Sequence, residues 1–73
     1  MHVFVSFQVV YADGSPACSQ QVILRTLGDV QFGITDQDGF VTIPTCDEEG
    51  KIIVLGKTRH YGYLMDLSQV ILN

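Results

Sequence analysis

The chain has 73 residues, 47% hydrophobic and 16% charged, with eight acids against four bases and a formal net charge of −4. That length has room for a single domain over residues 1–73, whose small core makes a staple or a partner expected. No apolar run approaches the ~20 residues of a membrane-spanning helix, and Arg25, Lys51, Lys57 and Arg59 are too few bases for a nucleic-acid surface.

No basic region precedes the opening apolar stretch, which Ser6 and Gln8 interrupt, so it does not read as a signal peptide. A cytoplasmic chain or an excised domain is the expectation. The dominant period is two. Val3, Val5, Phe7, Val9 and Tyr11 share one face of a first strand, with His2, Phe4, Ser6, Gln8 and Val10 on the other. Ala12-Asp13-Gly14-Ser15-Pro16 turns the chain. Residues 21–26 form a second strand with Val22 and Leu24 inward and Ile23 and Arg25 outward. Residues 30–35 form a third, with Val30, Phe32 and Ile34 on one face. Asp36-Gln37-Asp38-Gly39 reads as a hairpin turn, because Asp-Gly tolerates the positive φ of tight hairpins.

The fourth strand, residues 40–44, points Val41 and Ile43 inward and stops at Pro44. An acidic loop, Cys46-Asp47-Glu48-Glu49-Gly50, leads into a fifth strand over residues 51–57, apolar on both faces through Ile52 and Val54 and through Ile53 and Leu55. Residues 58–62 read as a loop. Residues 63–72 read as a sixth strand or as a short helix opened by Asp66, and the β-branched and aromatic neighbours favour the strand. Short strands with regular turn signals predict an all-β fold, a small antiparallel β-sandwich of six or seven strands.

Two turns carry a family resemblance. Asp13-Gly14-Ser15-Pro16-Ala17 followed by Val22-Ile23-Leu24 resembles the opening of carboxypeptidase-regulatory-like domains, which belong to the transthyretin-like (prealbumin-like) β-sandwiches. Thr35-Asp36-Gln37-Asp38-Gly39 before Val41-Thr42-Ile43-Pro44 is similar to that family's next signature, and Gly50-Lys51-Ile52-Ile53-Val54 to the start of its following strand. The resemblance covers about residues 3–56 and implies an accessory, adhesive or assembly module. Some transthyretin relatives are hydroxyisourate hydrolases, which this chain resembles at Gly14-x-Pro16-Ala17 and Asp38-Gly39. Those enzymes also have a His shortly before the first turn and a final Tyr-Arg-Gly-Ser. Here His2 lies far upstream, and the last residues are Val70-Ile71-Leu72-Asn73.

If successive strands run up and down, Cys18 shares one end with the Asp36–Gly39 turn, and Cys46 shares the other with Gly28. A five-residue strand is ~17 Å long, whereas a disulfide needs Cα atoms within about 7 Å, so the two cysteines are not expected to pair. Asp13, Asp36 and Asp38 at one end are a candidate for a low-affinity Ca²⁺ site, although no distal Glu follows to complete a calcium loop. The alternative is that these carboxylates cap their own turns. Arg59, His60, Tyr61 and Tyr63 are candidates for a polar-aromatic ligand loop, with His60 able to act as acid or base near neutral pH. No Cys-x-x-Cys, His-x-His or Gly-rich phosphate loop occurs, and no cofactor is expected.

The outward apolar residues weigh most. Phe4, Val10, Ile23, Phe40, Ile53 and Leu55 fall opposite the core set, where a two-sheet protein should be wet. Phe4, Ile23, Phe40, Ile53 and Leu55 are therefore the expected interface of a non-catalytic module that forms a homo-oligomer or docks a protein partner. The alternatives are a small hydrolase built on His60 and Arg59, and a carbohydrate- or Ca²⁺-linked surface module.

Overall fold

Alternating apolar residues, punctuated by turns, produce seven strands in the computed structural model, which describes residues 3–73. They are β1 (Val3–Tyr11), β2 (Gln21–Arg25), β3 (Val30–Ile34), β4 (Phe40–Thr45), β5 (Glu49–Val54), β6 (Lys57–Tyr63) and β7 (Gln69–Leu72). No helix occurs among the described residues. A three-stranded sheet has the order β4-β1-β7, and a four-stranded sheet the order β3-β2-β5-β6. One core serves both. Val5, Phe7, Val9, Val41, Ile43, Val70 and Leu72 come from the first sheet, Val22, Leu24, Ile52 and Val54 from the second. Ala17 and Leu64 join it from turns.

The expected antiparallel arrangement holds for four of the strand pairs, but β1 and β7 run parallel, with Val9 opposite Val70 and Tyr11 opposite Leu72. A parallel pair needs a crossover rather than a hairpin. The chain crosses here from β6 in the larger sheet to the edge of β1 through residues 64–68, held by Leu64 N–H to Glu48 O and Gln8 N–H to Ser68 O.

The two turns behind the family resemblance are joined at one end of the molecule. Val9 N–H donates to Gly39 O, Ala17 N–H donates to Val9 O, and the buried Thr35 hydroxyl bonds Ala17 O and receives Gln20 N–H. A side chain at Gly39 would stand 2.5 Å from Val9 O and 3.2 Å from the Pro16 ring, and φ there is +84°.

Three expectations need correction, and the direction of the β3 face, open from the sequence, is fixed. Val10, expected outward, is buried, and Tyr11, expected inward, is exposed. Pairing of β1 with β4 ends at Gln8, and the returning turn bridges Val10 to Pro16, which breaks the alternation there. Val30, Phe32 and Ile34 form the solvent face of β3. Gly33 faces inward, where an added Cβ would meet Val41 at 2.7 Å and Ile43 at 2.9 Å, so β4 packs where a side chain would stand. Residues 58–62, expected as a loop, belong to β6, because they pair with β5 around a bulge between Ile52 and Ile53. Leu55 lies in a tight turn rather than on a strand face. With φ of 54° it joins Gly56, at 75°, in a two-residue hairpin between the paired Val54 and Lys57, the geometry in which both central residues take positive φ.

Candidate functional site

The outer face of the four-stranded sheet follows from its register. Ile23 stands opposite Phe32 on one side and Ile53 on the other, forming an apolar row across β3, β2 and β5. Phe32 is 60% exposed, and Ile34 on the same strand face is 68% exposed. Ile23 and Ile53 are half-buried beside them. The next row is Val30, Arg25, Lys51 and Tyr61.

Arg25 and Lys51 are therefore directly opposed, an arrangement that costs stability for like charges. Lys51 turns its Nζ over the Tyr61 ring, 5.4 Å from the centroid, which at an exposed site contributes about 0.5–1 kcal/mol. Glu49 opposite Tyr63 completes the face. At this end the sheet borders an open groove of about 910 Å³, lined by Arg25, Lys51, Tyr61 and Tyr63 together with the acidic segment around Glu48. No family model, curated protein or solved structure matches this chain.

The five expected interface residues do not form one patch. Ile23 and Ile53 are cross-strand neighbours on the face just described. Phe4 and Phe40 are exposed on the outer side of the three-stranded sheet, where they pair with Pro44 and Gln8. Leu55 is at the β5–β6 turn. The outward position of Phe32 and Ile34 is not legible from the alternation, which places Val30, Phe32 and Ile34 on one face without fixing its direction. The signal that bears on the direction is Gly33, a residue with no side chain to contribute to a core face.

The four residues of the expected ligand loop are divided between surfaces. Tyr61 and Tyr63 point outward and line the groove. His60, paired with the buried Ile52, is on the other side of the strand, and its Nε2 lies 2.8 Å from Tyr63 O. Arg59 occupies the bulge, where its Nε donates to Val54 O at 3.0 Å and one terminal nitrogen donates to Asn73 O. Neither Arg59 nor His60 lines the groove.

At the opposite end the Asp13 and Asp36 carboxylates are engaged in their own turns. Asp36 Oδ1 accepts N–H bonds from Asp38 and Phe40, and Asp13 Oδ1 accepts the Ser15 hydroxyl and the Ser15 N–H. The Ser15 hydroxyl, followed by the Ser15 N–H, lowers the Asp13 carboxyl below its ordinary value, since both bonds favour the charged form. Among the described residues, no three His, Cys, Asp or Glu side chains gather into a group able to hold a metal; His2 lies outside the described residues. Cys18 sits beside the Thr35 end of the molecule and Cys46 beyond the far end of β4, and no disulfide joins them. Among the described residues, no helix is long and apolar enough to cross a membrane.

Proposed function

We propose that this chain is a binding and assembly module of the transthyretin-like β-sandwich type, acting through the β2–β3 side of its four-stranded sheet. The fold reading is supported by the division into three and four strands around one core and by the docking of the Gly-x-Pro turn on the Thr-to-Gly turn. The functional reading rests on one observation: Phe32 and Ile34 stand mostly in solvent beside Ile23, in a chain too small to leave apolar surface unused without loss. The test is the native mass of the full chain across a concentration series, by sedimentation. The wild type is expected to gain mass with concentration and Phe32→Lys to remain monomeric. A wild type that stays monomeric throughout overturns the self-associating form of this reading.

A further inference from the structure

We infer that β3 pairs antiparallel with β3 of a second copy across a two-fold axis, joining two four-stranded sheets edge to edge. This rests on the assembly reading above and names its partner and its contact.

The phase of the β2–β3 ladder decides which groups are available. Thr26 N–H donates to Asp29 O and Thr35 N–H to Gln20 O. Hydrogen-bonded pairs alternate along an antiparallel ladder, so Asp29, Gln31, Gly33 and Thr35 bond toward β2. Val30, Phe32 and Ile34 then direct their N–H and C=O groups to the open side. β3 is the end strand of its sheet, and the Val41 and Ile43 side chains of β4 fill the space on its inner face at Gly33. The Val30 N–H is already taken by Asp29 Oδ1 at 2.8 Å. What remains at the edge is the N–H of Phe32 and of Ile34 and the three carbonyls.

Among the described residues the two sheets have four end strands, and three of these carry within the strand itself a device that discourages pairing. β4 contains Pro44. β7 is only four residues long. β6 carries Lys57 and Arg59 and the bulge. β3, Val-Gln-Phe-Gly-Ile, has no charge, no proline and no bulge of its own, and its guard is confined to one end, where the Asp29 carboxylate holds the Val30 N–H and the Gln31 amide.

A second copy is the occupant that this strand fits. With the two-fold at Phe32, the two Phe32 residues are opposite one another and exchange both N–H···O bonds. Val30 meets the partner's Ile34, whose N–H reaches the Val30 carbonyl. Gln31 meets the partner's Gly33. The Phe32 pair exchanges its two bonds with the Val30–Asp29 contact in place, the two Ile34-to-Val30 bonds form as the Asp29 carboxylate swings off the Val30 N–H, and each side-chain pair on the outer face is apolar. Each copy carries a net charge of −4; the five paired residues add no charge to the contact, and the Asp29 carboxylate flanks each end of it. The Phe32–Ile23–Ile53 row of one copy becomes continuous with that of the other. An edge contact of five residues buries less than the roughly 800 Å² a side of a standard interface, so the dimer is weak and depends on concentration.

The experiment uses the full chain and compares two variants by sedimentation, with thermal melting as the check on folding. Ile34→Pro removes an N–H that points away from β2, so the sheet is retained, and it is expected to be monomeric where the wild type is dimeric. Ile53→Lys changes the outer face two strands from the edge and is expected to stay dimeric. The reverse pattern overturns edge pairing while leaving self-assembly standing. A monomeric wild type overturns both. Amide hydrogen exchange gives a readout that needs no variant. The Phe32 and Ile34 amides are expected to slow as concentration rises, and rates that stay constant while the mass increases overturn the inference.

Discussion

Leu55 holds φ of 54° with 60% of its surface exposed, a combination that has a cost and no compensating burial. The left-handed region costs an L-residue with a bulky side chain about 1–2 kcal/mol, and Asn before Gly is the preferred pair for this hairpin. Leu55→Asn is therefore expected to stabilise the fold by about 1 kcal/mol, which in a domain of this size raises the midpoint by about 4–8 °C. A melt that falls instead would show that Leu55 makes an apolar contact worth more than its strain. At the first turn, Asp13 tests a single charge. The two bonds from Ser15 depress its folded pKa, so this carboxylate supports folding above its unfolded value of about 3.9, and that support disappears as pH falls through the lower folded value. An NMR titration should place Asp13 below the ordinary aspartate range, and Ser15→Ala should move it back upward.

At the scale of strands and turns, Gly39 shows how one element depends on another. Its φ of +84° and the Val9 carbonyl 2.5 Å from the position of a Cβ exclude any side chain, whereas Gly14, at φ +90°, has nothing within 4 Å. Gly39→Ala should cost about 2–4 kcal/mol by chemical denaturation, because it adds a backbone clash to strain. Gly14→Ala should cost only the strain. Equal losses at the two positions would mean that the two turns are not coupled as described. The same dependence explains which strands could be read from sequence. In β2 and β4 apolar residues alternate with polar or outward ones over a side chain-filled core, so their inward faces, Val22 and Leu24, and Val41 and Ile43, were legible. β3 was read in the correct place, but its solvent face was not recognised, since the space behind Gly33 is filled by β4 rather than by its own residues. β6 has the polar sequence Lys-Thr-Arg-His-Tyr-Gly-Tyr, and pairing with β5, not a pattern of its own, makes it a strand.

The whole molecule combines a small core with an uncovered side. Of that side, Ile23 and Ile53 were legible because their neighbours Val22, Leu24, Ile52 and Val54 claim the core, while Phe32 became part of it only once the register of β3 against β2 was known. A single core in a domain of this size rarely supplies more than roughly 3–5 kcal/mol, so a partner bound only by the folded state contributes a large share of the total. Dimerisation therefore predicts a melting temperature that rises with protein concentration. Phe32→Lys separates this effect from the intrinsic stability of one copy. Phe32 is 60% exposed, and substitutions at surface positions usually change folding by no more than about 0.5 kcal/mol, so the variant should melt close to the wild type at the lowest concentration. As concentration rises the wild-type midpoint should climb and the variant's should stay level, because a charge at the two-fold faces its own copy. If both curves climb together, association does not pass through Phe32; if both stay level, the apolar side stabilises nothing by self-contact.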